Sequence, residues 1–121
     1  MDKKYDLQKM DDLLLFRFCQ KAEVKEILTS LDDALEIGAA RCRLWNFSYG
    51  TNLSTGDIQQ IAAYAKSLKL SPGKVAIVAP DDLTFGFFRM YEVYRQEDQI
   101  KLNVFRSEQE AIDWLRGEAP D

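Results

Sequence analysis

The spacing of hydrophobic residues changes several times along the chain, and each change predicts a new element of secondary structure. Tyr5 and Leu7 alternate with polar neighbours, a DD pair forms a turn, and the nearly continuous apolar run LLLFRFC follows. This pattern predicts a β-hairpin whose second strand is covered on both faces. From Ala22 onward, apolar residues recur every three or four positions, which predicts an amphipathic helix ending at Gly38.

The rest of the chain repeats one unit three times, a strand followed by a helix. The predicted strands are RCRLWNFS, VAIVAP and IKLNVFR, and the predicted helices run from Ser54 or Thr55 to Leu68, from Asp81 or Asp82 to about Gln96, and through SEQEAIDWL. A hairpin followed by helices and strands in alternation, β(βα)4 in outline, predicts an α/β fold. The sheet should be mostly parallel, with right-handed crossovers and helices packed on it. At 121 residues the chain has the length of a single domain, 1–121.

The helix predicted from DDLTFGFFRMYEVYRQ contains more aromatic residues than one face can hold. Placing successive residues about 100° apart yields a wide apolar arc, which is expected to face the core. Its members are Leu83, Phe87, Met90, Tyr91 and Tyr94. Phe85 and Phe88 fall on the opposite side, where two exposed phenylalanines would lower solubility unless something covers them.

Three interpretations of these two phenylalanines stay open. In the first, Phe85 folds back over the preceding loop and Phe88 packs under a neighbouring helix. In the second, Phe85, Phe88 and Arg89 form a contact patch for another protein or for a second copy of the chain, because aromatic residues and arginine are typical interface anchors. In the third, Phe85, Phe88 and Tyr91 line a hydrophobic cleft for a lipid or another small apolar molecule.

Composition and charge exclude several classes of function. Hydrophobic residues make up 46 % and charged residues 30 %, as in an ordinary globular protein. The net charge of −4 repels nucleic acid and anionic membrane surfaces. The longest apolar run is too short to span a membrane, and the N-terminal residues do not resemble a signal peptide. A cytoplasmic location is therefore expected.

The residue types needed for most catalytic or metal chemistry are missing. The chain has no histidine, which excludes catalytic triads that depend on it. Cys19 and Cys42 lack the spacing of a metal site and are expected to be buried free thiols. Asp81 and Asp82 are most simply explained as helix caps. We therefore predict a protein that is not an enzyme and has no metal or cofactor.

The order of elements and the amino-acid sequence of the second half of the chain resemble a bacterial family of small STAS-like proteins. These are relatives of the sulfate transporter and anti-sigma factor antagonist domain, also called SpoIIAA-like. The segments that carry the resemblance are RLWNFS, LSTGDI, KVAIVAPDDLTFGFFRMYEV and NVFRSEQEAIDWL, and it is strongest from Arg43 to Leu115. The resemblance implies a βα superhelix with strands in nearly sequential order, and a regulatory role in binding other proteins, including a possible homodimer.

The resemblance also implies a phosphorylation site at the start of the second helix. In the antagonist branch, a serine or threonine there is phosphorylated by a partner kinase, and this controls docking to that kinase. Thr55 is the matching residue, preceded by Ser54, but Leu53 stands where the family has an acidic residue. Small STAS-like proteins also tend to carry an aspartate in the strand before this helix, and here the residue is Asn46. This replacement argues against a charge-dependent role for that position. Without modification, Ser54 and Thr55 are ordinary N-cap residues.

Overall fold

A five-stranded sheet with the strand order β1-β2-β3-β4-β5 organises the chain in the computed structural model, which describes residues 4–38, 40–95 and 100–117. The strands are β1 (Tyr5–Met10), β2 (Leu13–Phe18), β3 (Cys42–Asn46), β4 (Gly73–Val78) and β5 (Ile100–Phe105), and the helices are α1 (Val24–Ile37), α2 (Thr55–Leu68), α3 (Asp82–Tyr94) and α4 (Glu108–Leu115). β1 pairs antiparallel with β2, and every other neighbouring pair is parallel. The predicted hairpin and four βα units are confirmed.

Helices cover both faces of the sheet, but unequally. On one face, the side chains of β2, β3 and β4 pack against α1, α2 and α3 in the larger core cluster. On the other face, a smaller cluster around Leu15, Leu44 and Val78 packs against Ala111 and Leu115 of α4. β2 contributes to both clusters, which explains why its sequence is nearly continuously apolar rather than alternating.

A continuous series of stacked aromatic rings crosses the larger core from β1 to α3. Phe18 on β2 stacks on Phe47, whose ring centroid lies 4.8 Å away, and Phe47 stacks on Phe88 of α3 at 4.7 Å. Phe88 in turn meets the edge of Tyr91 at 5.8 Å. At the other end, Tyr5 contacts Phe18 at 5.1 Å. These ring contacts hold α3 against the sheet, so the aromatic residues of α3 that take part in them are core residues.

The predicted core face of α3 was correct for Tyr91, which is buried, and for Phe87 and Tyr94, which pack against the larger cluster. It was wrong for Leu83 and in leaving out Phe88. The buried residues are Thr84, Phe88 and Tyr91, whereas Leu83 is 67 % exposed. Thr84 is a core residue because its hydroxyl lies 3.2 Å from that of Thr51, which satisfies both polar groups. The helix is apolar on most sides, so hydrophobicity alone does not fix which side faces inward. Cys19 was also placed incorrectly, since β2 ends at Phe18 and Cys19 is exposed.

Candidate functional site

The loops that leave the carboxyl ends of the parallel strands form one edge of the sheet. Segment 47–54 follows β3, segment 79–81 follows β4, and Arg106 and Ser107 follow β5. In open α/β sheets, ligands characteristically bind at this edge. We call it the carboxyl edge.

The loop between β3 and α2 is fixed at its base by hydrogen bonds. The Gly50 carbonyl accepts a bond from the Ala22 amide at 3.0 Å, and the Asn52 amide donates to the Ala22 carbonyl at 2.8 Å. The contact between Thr51 and Thr84 joins the same loop to the first turn of α3. The carboxyl edge is therefore a preorganised surface rather than a set of independent loops.

Two large side chains project from this edge into solvent. Tyr49, in the loop after β3, is 65 % exposed, and Leu83, in the first turn of α3, is 67 % exposed. The two segments are adjacent, because a Cβ added at Gly50 would lie 3.5 Å from Oδ1 of Asp81. Sequence reasoning missed both residues: no pattern in the sequence singles out Tyr49, and the helical periodicity predicts Leu83 in the core.

Ser54 and Thr55, the predicted phosphorylation candidates, lie at the start of α2 and have different environments. The Ser54 hydroxyl accepts a hydrogen bond from the Asp57 amide at 3.2 Å, while the Asp57 carboxylate accepts one from the Ser54 amide at 2.9 Å. This reciprocal capping box occupies Ser54 as the N-cap. Thr55 is the first residue of the helix and is exposed.

The structure separates the four residues proposed from the aromatic helix as a partner or ligand surface. Phe88 and Tyr91 are buried in the core, so neither belongs to a surface patch. Phe85 is half-buried, and the guanidinium of Arg106 covers its ring with 4.0 Å to the ring centroid. Arg89 is exposed and pairs with Glu92 one turn later, at 3.1 Å. The interpretation of Phe85 and Phe88 as packing residues is the one that fits these positions.

Asn46 occupies a hydrogen-bonded position between β3 and α4. Its amide nitrogen donates to Glu108 at 2.8 Å, and its oxygen accepts from the Ser48 amide at 2.9 Å. Glu108 also accepts two hydrogen bonds from Arg17, at 2.9 and 2.8 Å. The bonds from Arg17 hold the pKa of the Glu108 carboxyl below its usual range, despite the opposing effect of burial. Asn46 therefore orients the start of α4, and the charge in this cluster comes from Arg17 and Glu108.

The cavity beneath α3 is small. It lies between the sheet and α1–α3, has a volume of about 20 Å³, and is lined by Phe88 and Tyr91 but not by Phe85. A groove of about 290 Å³ between the β1–β2 turn and α4 is larger, and its lining contains no residue of α3. The cavity beneath α3 is about large enough for a water molecule, so it does not match the predicted cleft for a lipid.

The described residues contain neither a metal-binding cluster nor a membrane-spanning helix. Within ranges 4–38, 40–95 and 100–117, no group of three or more acidic or cysteine side chains is arranged to hold a metal ion. Over the same ranges, no helix combines the length and apolar character needed to cross a membrane.

Solved structures of anti-sigma factor antagonists have a similar fold. A putative antagonist from Thermotoga maritima superposes with a TM-score of 0.60 at 17 % identity, covering 93 % of this chain and 94 % of that one. SpoIIAA matches in its unphosphorylated form, with a TM-score of 0.53, 17 % identity and coverage of 96 % and 99 %. The phosphorylated form of SpoIIAA, from Bacillus, matches with a TM-score of 0.51 at 18 % identity and covers 93 % and 99 %.

A protein outside the named antagonists has the same architecture. An uncharacterised protein from Shewanella loihica, described as having a SpoIIAA-like fold, matches with a TM-score of 0.57 at 19 % identity and covers 92 % and 91 %. No protein-family model and no curated protein sequence matches the chain. The chain thus has the STAS-like, or SpoIIAA-like, fold, which confirms the fold expected from the sequence resemblance.

Proposed function

We propose that this protein is a non-catalytic, cytoplasmic, single-domain regulatory module that binds another protein through its carboxyl edge. The observation that carries the proposal is the exposure of Tyr49 and Leu83 on adjacent, preorganised segments of that edge. Exposed aromatic and aliphatic side chains on a rigid surface are typical interface anchors. The likeness to anti-sigma factor antagonists supports a regulatory role of this kind.

We expect Tyr49→Ser and Leu83→Ser each to weaken partner binding at least tenfold, because each removes an anchor without touching the core. A tenfold loss corresponds to about 1.4 kcal/mol of binding free energy. The tagged chain would be used to recover partners from its native cells, and the affinity of the purified partner would then be measured by biolayer interferometry. Sedimentation of the isolated chain would reveal whether the partner is a second copy.

Val93→Ser is the matched control for these variants. Val93 is 62 % exposed but lies ten residues beyond Leu83 on α3, about 15 Å along the helix axis. The control should bind like the wild type. Equal binding by the wild type, Tyr49→Ser and Leu83→Ser would contradict a docking role for the carboxyl edge.

We propose further that phosphorylation of Thr55 regulates this docking. A phosphate at the first residue of α2 would lie near free backbone N–H groups and the positive end of the helix dipole. The exposure of Thr55 beside the capping box supports access by a kinase, and SpoIIAA is a protein of this fold that exists in a phosphorylated form.

We expect Thr55→Glu to reduce affinity for the same partner about tenfold, equivalent to about 1.4 kcal/mol, because it places a negative charge on the docking surface. The comparison variant is Gln60→Glu, which adds the same charge at an exposed position further along α2. The measurement is the dissociation constant of each variant. Unchanged affinity in Thr55→Glu would refute regulation at this residue while leaving the docking proposal intact.

The competing proposal of a lipid or small-molecule carrier has less support. A carrier pocket for a drug-sized ligand has a volume of roughly 300–1,000 Å³. The cavity beneath α3 is smaller by more than an order of magnitude, with a volume of about 20 Å³.

A further inference from the structure

A buried arginine on β3 occupies an apolar part of the core. Arg43 is 1 % exposed, and it lies with Trp45 and Phe47 on the face of the sheet that α1, α2 and α3 cover. Its Nη2 donates a hydrogen bond to the Ser71 carbonyl at 2.7 Å. The other two guanidinium nitrogens, Nε and Nη1, are buried and have no hydrogen-bond acceptor. A buried charged group in this state costs several kcal/mol unless something compensates it.

The surroundings of Arg43 make the local charge more positive. Arg95, at the end of α3, is 3 % exposed and lines the same cavity, where its Nε donates to the Tyr91 hydroxyl at 3.2 Å. Burial, reinforced by the positive charge of Arg95, lowers the pKa of the Arg43 guanidinium. No carboxylate of the described ranges 4–38, 40–95 and 100–117 forms an ion pair with Arg43. Arg43 therefore has unused donors and no carboxylate partner within these ranges.

The size of the cavity limits what can compensate this charge. Its volume is about 20 Å³, and its remaining walls are apolar, with Leu31, Trp45 and Val75 among them. A space this small excludes a nucleotide, an acyl chain or a phosphate ester. A water molecule would fit and could accept a hydrogen bond, but it would leave the charge uncompensated. A small monovalent anion meets both the hydrogen-bonding and the charge requirement.

We propose that this cavity binds one monatomic monovalent anion, a halide, against the guanidinium of Arg43. The anion accepts hydrogen bonds from the unused donors and neutralises the buried charge. Because it binds the folded chain and not the unfolded one, it stabilises the fold in proportion to its occupancy.

The first test measures stability at constant ionic strength while chloride replaces gluconate, which is too large for the cavity. At an anion concentration ten times its dissociation constant, the ratio of folded to unfolded protein should rise about tenfold. Acetate is also too large for the cavity and should give no response. A response to acetate equal to that to chloride would contradict a halide site. Arg43→Met, which retains the length and apolar stem of the side chain, should abolish the response.

Arg41→Met is the control, because Arg41 precedes Arg43 by two residues and its side chain is exposed. It should retain the full anion response, which separates binding at Arg43 from general screening of surface charge. An equal response in Arg43→Met and in the wild type would overturn the proposal. So would the absence of any response in the wild type, which would mean that water alone fills the cavity.

A second test does not depend on whether Arg43→Met folds. Trp45 lines the cavity, whereas Trp114 packs on the opposite face of the sheet, so Trp114→Phe leaves Trp45 as the fluorescent reporter. Bromide quenches tryptophan on contact. Bromide binding in the cavity would quench Trp45 along a saturable curve, with competition from the anion that stabilises the fold. A purely linear dependence on bromide concentration would refute a discrete site.

Discussion

Replacing Phe88 by alanine is expected to destabilise the protein by about 3–5 kcal/mol, the range for truncating a large aromatic residue in a packed core. Phe88 is 2 % exposed and is stacked between Phe47 and the edge of Tyr91. Its removal opens a cavity at the point where α3 is fastened to the sheet. Since natural domains are stable by only about 5–15 kcal/mol, the variant should lose a large part of its stability.

The measurement is the free energy of unfolding from urea titrations, with Phe85→Ala as the control. Phe85 is half-buried and packs beneath the exposed guanidinium of Arg106, so its truncation should cost less than half as much. A loss within about 0.5 kcal/mol for Phe88→Ala, as is usual for surface substitutions, would instead place Phe88 on the surface.

Gly73→Ala is expected to destabilise the protein by about 3 kcal/mol, through backbone strain and overpacking together. Gly73 begins β4 with a φ of 153°, and a Cβ built there would lie 2.1 Å from the Arg41 carbonyl oxygen. The same carbonyl accepts a hydrogen bond from the Lys74 amide at 2.9 Å, so the methyl group would force apart the first contact between β3 and β4.

Gly86→Ala provides the opposite result for the same chemical change. Gly86 lies on the exposed side of α3, and an added Cβ would meet no atom within 4 Å. Because alanine is the better helix former, this variant should gain about 0.5–1 kcal/mol. Urea titrations followed by circular dichroism would compare the two variants. Equal stability of Gly73→Ala and the wild type would disprove the close approach of Gly73 to Arg41.

The fold could be predicted well because its main signals are local. The change from alternating to three-four spacing marks each passage from strand to helix, and Ser54, Asp81 and Ser107 cap α2, α3 and α4 as N-cap residues do. The continuous apolar sequence of β2 also indicated that both of its faces are covered, which the two core clusters confirm.

The candidate site was less predictable because its features depend on contacts between distant segments. Leu83 lies on the surface because two contacts fix the rotation of α3 about its axis. Thr84 contacts Thr51, and Phe88 stacks on Phe47. These contacts join residues more than thirty positions apart, and no periodicity within the helix encodes them. Likewise, nothing in RCRLWNFS distinguishes the exposed Arg41 from the buried Arg43, because residues two positions apart lie on the same face of a strand.

The sequence by itself determined the order of strands and helices, the helix caps and the parallel character of most of the sheet, because these follow from periodicity and from hydrogen bonds between near neighbours. Only the tertiary structure decided which side of α3 is buried, that Tyr49 and Leu83 share an exposed edge, and that Arg43 lies in a small apolar cavity. The physical reason is that burial is a property of packed surfaces. Whether a residue is buried depends on how separate helices and strands pack together, and the residues next to it in the sequence carry little information about that packing.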